Sequence, residues 1–150
     1  MIEFTVEGRP PRKYRANSLW SDNNEAPLIL KLRKQALSVM KQHQIEPFLT
    51  ATVELELTVY APNITNIGES HKYVGDLDAF VAGVCESIYS ADKQLKTTHP
   101  IFDNEKEVDP FLPLIIKNDS QIISIIAKKE SSERTFYKIR IRPIETCQMK

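Results

Sequence analysis

From residue 52 to residue 60 the side chains alternate without a break: Val53, Leu55, Leu57 and Val59 are apolar, while Glu54, Glu56 and Thr58 are polar. A period of two over that length fits a strand with one face in a core and the other in water. The chain must therefore build a sheet that is covered on one side. Residues 2–7 repeat the pattern, and Gly8-Arg9-Pro10-Pro11 ends it, because proline supplies no N–H to a ladder. Residues 122–127 and 136–144 read as two more strands, joined as a hairpin around Glu130-Ser131-Ser132-Glu133.

Two segments change to helical spacing. Leu28, Leu32, Ala36, Val39, Met40 and His43 fall on one face, with Lys31, Lys34 and Lys41 away from it. Asn23 or Asn24 is placed to cap this helix, Pro27 is tolerated in its first turn, and Pro47 lies beyond its end. Arg33 is read with the lysines as a surface cation, and His43 as a core residue. Phe80, Val81, Val84, Cys85 and Ile88 mark a second amphipathic helix. The order β-α-β-α-β-β predicts an α+β fold: a mixed sheet of about four strands with two helices. At 150 residues the chain fits one domain, 1–150. Residues 90–113 stand out as an insertion, polar, acidic and broken by Pro100, Pro110 and Pro113. Such a stretch is a flap, a small subdomain or a partner-binding surface.

Composition excludes several classes. No stretch approaches the roughly 20 apolar residues that span a bilayer, and residues 1–4 enter a strand pattern directly, so no membrane partner and a cytoplasmic protein are expected. Two cysteines, Cys85 and Cys147, make neither a disulfide framework nor a zinc site. Lys plus Arg total 20 against 20 Asp plus Glu, so no net field draws the chain to nucleic acid. The charges are unevenly spread, however. Residues 8–15 hold Arg9, Arg12, Lys13 and Arg15 without an acid, and one face of the last strand holds Lys138, Arg140 and Arg142. Both groups are candidate phosphate contacts; the strand cations equally suit a solvated outer face. Trp20 and Tyr14 are placed to stack on bases or to fill core, and core suits Trp20 better.

Asp76 and Asp78 flank one residue at the mouth of the second helix. They serve either as helix caps or as paired ligands for a hard cation such as Mg²⁺ or Mn²⁺. Asp119, in Lys117-Asn118-Asp119-Ser120-Gln121-Ile122, occupies a polar turn before a strand and is the third candidate carboxylate. Three such groups together would activate water for phosphodiester hydrolysis. His43, His71 and His99 form no base–nucleophile set, although His71 stands close to the acidic motif in sequence.

This layout resembles the RusA family of Holliday-junction resolvases, and the likeness runs through most of the chain. The opening strand with Gly8-Arg9-Pro10-Pro11-Arg12-Lys13-Tyr14-Arg15 is similar to the family's opening. Gly75-Asp76-Leu77-Asp78 after a strand matches its Asp-x-Asp at a helix start, and Asn118-Asp119-Ser120-Gln121-Ile122 its Asp-Asp-x-Gln-Val. The resemblance implies a homodimeric, Mg²⁺-dependent endonuclease (Mn²⁺ as a substitute) that cuts branched DNA. It places metal binding and catalysis on Asp76, Asp78 and Asp119. The family usually continues Asp-x-Asp-Asn-x-x-Lys, where this chain has Ala79 and Ala82; a later helical Asp is Glu86. Lys72, Lys93 and Lys117 are the candidate substitute cations, and Glu86 a supporting acid. Two other readings follow from the same residues: a branched-DNA-binding protein without activity, and a protein-interaction module built on 90–113.

Overall fold

The computed structural model describes residues 1–13, 18–64, 75–92 and 98–144. Ile2, Phe4 and Val6 turn to one side of β1 (Ile2–Glu7) and are buried, whereas Glu3, Thr5 and Glu7 face water. The same alternation governs β2 (Val53–Ala61) and β4 (Phe136–Pro143). Their inner residues line up in rows across three strands, Ile2–Ile141–Leu55, Phe4–Ile139–Leu57 and Val6–Tyr137–Val59. Every member of those rows is buried, which fixes the register, since a slip of one residue would turn each row outward. The covering layer is α1 (Ala26–Gln42) and α2 (Leu77–Ser87). The fold is α+β, with two helices on a four-stranded mixed sheet.

The sheet order is β1-β4-β2-β3, with β3 spanning Ile122–Ser131. The expected hairpin of the last two strands is therefore not formed: β2 lies between them, parallel to β3 and antiparallel to β4. Charge gives the reason. On the open face Arg140 stands between Glu3 and Glu56, and Arg142 opposite Glu54, so the cations of β4 meet acids on both neighbours.

Three expectations for α1 are corrected. Its N-cap is Glu25, not Asn23 or Asn24; the Asp22 carboxylate accepts the N–H groups of Asn24 and Glu25 just ahead of it. His43 is the exposed C-cap rather than a core residue, because the helix ends before the apolar stripe reaches it. Arg33 is fully buried, not a surface cation. Its Nε donates to Val108 O, and its two terminal nitrogens donate to the carbonyls of Ser87, Tyr89, Asp109 and Leu112 at 2.8–3.1 Å. The guanidinium also lies 5.2 Å from the centre of the Trp20 ring, which is core as expected. Burial lowers its pKa to about 10, and Asp109 opposes that shift.

Those bonds root the stretch after residue 98. It makes two single turns, Pro100–Phe102 and Lys106–Val108, and buries Phe102 and Val108. Phe102 packs on Trp20, and Ala91 N–H reaches Pro110 O at 2.6 Å. Two ion pairs, Lys34–Glu105 and Lys41–Glu107, tie it further to α1. Among the described residues no helix is long and apolar enough to cross a membrane.

Candidate active site

The crossover from β2 through α2 to β3 carries every acidic candidate. Gly75 takes φ +122°, a left-handed value that disfavours side chains, and turns the chain into α2. Asp76 is the N-cap, yet its carboxylate makes no capping bond; Asp78 in the first turn accepts the Ala79 N–H at 2.9 Å. The capping role therefore belongs to Asp78. Both carboxylates are exposed at the helix end whose dipole favours negative charge.

At the other end of α2, the Ile88 carbonyl accepts from the N–H groups of Ile115 and Ile116. Asp119 opens a single turn, Asp119–Gln121, that leads into β3. Asn118 caps this turn, and Gln121 closes the capping box. The buried Gln121 amide also donates to Phe48 O and Ala51 O, so it fixes the start of β3 against the loop before β2. Asp119 itself is exposed. It lines a cleft of about 400 Å³ with Tyr89, Asp92 and Lys117. Burial pushes the Cys85 thiol up to about 11 and the Tyr89 hydroxyl up to about 12, with Asp119 adding to both. Neither is a nucleophile near neutral pH, because both stay protonated.

The two acidic ends are far apart within one chain. Lys129 Nζ donates to Gly75 O at 2.5 Å, so the Asp76 end of α2 lies at Lys129. Asp119 precedes Ile122 at the start of β3, and Ile122 lies seven residues, about 23 Å at ~3.3 Å per residue, from Lys129 along the strand. Asp76 and Asp78 thus share the N-terminal end of α2, and Asp119 lies toward the other end of the crossover. Among the described residues no group of three His, Cys, Asp or Glu side chains is arranged to hold a metal ion.

The basic candidates are engaged with acids. Arg9 grips Glu25 with two nitrogens at 2.7 and 2.8 Å, and Glu25 also accepts the Arg12 N–H; it is a buried acid that sequence reasoning missed. Lys13 pairs with Glu86 at 2.8 Å, which puts the supporting acid to structural use. Lys138 pairs with Glu3, Arg140 with Glu3 and Glu56, and Arg142 with Glu54. Exposed pairs of this kind contribute at most about 1 kcal/mol each, so a phosphate can compete for the cations. Arg15, Tyr14, His71, Lys72, Lys93 and Cys147 lie outside the described residues. Lys117 is the one substitute cation that falls inside them, on the Asp119 cleft. His99 is structural: its Nδ1 accepts the Ile101 N–H and its Nε2 meets Asn23 Oδ1.

Compared with protein-family models and with curated proteins, the chain matches none. What the site can do therefore rests on its own chemistry. Two exposed carboxylates one residue apart suit Mg²⁺, which takes one or two carboxylates and keeps waters for a substrate phosphate.

Proposed function

We propose that this chain is a divalent-metal-dependent endonuclease acting on four-way DNA junctions, as the RusA resemblance implies. One observation carries the reading: Asp76 stands exposed at the N-terminal mouth of α2, at its N-cap position. Asp78, two residues on, shares the exposed helix mouth. A bound Mg²⁺ would supply an activated water and charge stabilisation at the leaving oxygen. The α2 N-terminus favours a phosphate nearby, and the cations of residues 9–13 and of β4 offer salt-dependent, sequence-independent contacts.

The test is cleavage of a labelled four-way junction beside matched duplex, in Mg²⁺, Mn²⁺ and EDTA. Paired symmetric nicks that vanish in EDTA and with Asp76→Asn are expected. Metal-dependent cleavage that persists in Asp76→Asn would sink the assignment.

A second reading is favoured by Ala82, which is exposed on α2 where the family carries Lys. Without that cation the protein would bind junctions and cut them slowly or not at all. Ala82→Lys is accordingly expected to raise the cleavage rate by roughly 10- to 100-fold. Its melting temperature should stay within a degree or two of wild type, as the position is exposed. An unchanged rate would show that a missing lysine is not what limits activity.

A further inference from the structure

On the sheet face away from the helices, every outward side chain of the two interior strands, β2 and β4, is long except Thr58. Lys138 of β4 and Lys128 of β3 stand in register with it on either side. Glu56 and Tyr60 flank it along β2, and Arg140 lies opposite Glu56. A short side chain ringed by five long ones leaves a pit of about 120 Å³ with Thr58 at its floor. Thr58 is only 5% exposed, yet its hydroxyl makes no hydrogen bond with any described residue. A polar group at that depth costs free energy unless a partner meets it. Tyr60 is a fixed wall, because it stacks on Phe136 with ring centres 4.4 Å apart.

We propose that this pit binds a phosphate group, with Lys128, Lys138 and Arg140 holding its oxygens and the Thr58 hydroxyl donating to it from below. The lining carries three cations and one acid, an excess of two positive charges that suits a phosphate dianion. Lys128 and Lys138 donate to Glu130 and Glu3 at the rim, which raises both pKa values and keeps both ammonium groups charged at neutral pH. Arg140 reaches Glu3 at 3.5 Å and Glu56 at 4.0 Å. Such exposed pairs are weak, so an oxyanion that meets all three cations at once can displace them. The competing acids hold the affinity for free phosphate in the millimolar range. Surface pairing alone accounts for the cations, but not for the unbonded hydroxyl beneath them.

The pit lies on the opposite face of the sheet from α2, so phosphate binding here needs neither a metal at Asp76 and Asp78 nor a cleavage reaction. A small phosphate and a backbone phosphate of a nucleic-acid strand offer the same oxygens.

Amide NMR spectra during titration with inorganic phosphate, at ionic strength held constant with chloride, read the site directly. Thr58, Lys128 and Lys138 should shift together and saturate with phosphate, and should not respond to chloride. Thr58→Val keeps the shape and removes the hydroxyl, and should weaken binding about 10-fold. Its melting temperature should not fall, because the hydroxyl has no partner to lose. Lys128→Met should weaken binding by a similar factor, whereas Glu56→Gln should strengthen it several-fold by removing the acid from the lining. A short single-stranded oligonucleotide titrated in the same way separates the sources. Saturating shifts with inorganic phosphate, weakened by Thr58→Val, place a small phosphate in the pit. Shifts at the same residues with the strand alone, again weakened by Thr58→Val, place a backbone phosphate there. No saturating shift with either, or equal binding by wild type and Thr58→Val, overturns the site. Unchanged or weaker binding by Glu56→Gln overturns it as well.

Discussion

Arg33→Met is expected to destabilise the protein by at least about 4 kcal/mol, a large part of the 5–15 kcal/mol typical of a domain. Methionine fills similar space and is apolar, so the loss is not that of a cavity. What disappears is the donor set for five backbone carbonyls, those of Ser87, Tyr89, Val108, Asp109 and Leu112. Each acceptor left buried without a partner costs roughly 1–3 kcal/mol, and neighbouring losses overlap, hence the lower bound. Arg33→Lys keeps the charge but offers three donors on one nitrogen, which cannot reach acceptors spread on two sides of a planar group. It should be nearly as harmful as methionine. Urea unfolding followed by Trp20 fluorescence reports directly, since the indole touches the guanidinium. A midpoint change equivalent to under ~1 kcal/mol for either variant would show that the carbonyls find other partners.

The same bonds make the 98–113 stretch part of the core rather than an appendage. Arg33 sits on α1, and its acceptors come from the end of α2 and from the turns that follow. One side chain thus sets where the α2 C-terminus and the Asp119 cleft lie relative to α1. A partner seeking this stretch would meet a surface already tied down by Phe102 and Val108.

The strands were legible because period two over residues 2–7, 52–60 and 136–144 leaves one arrangement of faces. Their order was not. That β4 enters between β1 and β2 depends on acids at positions 3, 54 and 56 meeting cations at 138, 140 and 142, contacts distant in sequence. Adjacency in sequence points to a hairpin, and so conceals the parallel β2–β3 pair. A parallel pair carries its crossover helix from one end of the strands to the other, which is why Asp76 and Asp119 sit at opposite ends of α2. Arg33 is hidden for a different reason. Charged residues are rarely buried, yet Ile29, Leu32, Arg33, Ala36 and Met40 form one stripe at helical spacing, and the stripe was the available signal. Glu25 gave no local sign, because what buries it is Arg9, on the far side of the basic segment.

Gly83→Ala is expected to destabilise by about 3 kcal/mol, against the helix propensity that favours alanine over glycine by about 1 kcal/mol. A Cβ at position 83 would lie 2.1 Å from Pro11 O and 2.8 Å from Arg12 N, backbone atoms with no rotamer to yield. Either α2 or the segment from Pro10 to Lys13 must move. Moving the segment breaks the Lys13 N–H bond to Ala79 O, the Lys13–Glu86 pair and the Arg12 N–H bond to the buried Glu25. Ala82→Gly, one residue away and exposed, should cost only the propensity difference, about 1 kcal/mol. The neighbouring exchanges therefore separate propensity from contact. Propensity alone predicts that Gly83→Ala raises the denaturation midpoint and Ala82→Gly lowers it; the close approach predicts that both lower it, the first more. A rise for Gly83→Ala would mean that the basic segment does not rest on α2. Under the proposed function, the fall should come with weaker, less salt-sensitive junction binding, because Arg9, Arg12 and Lys13 would meet phosphate from the segment that Gly83 admits.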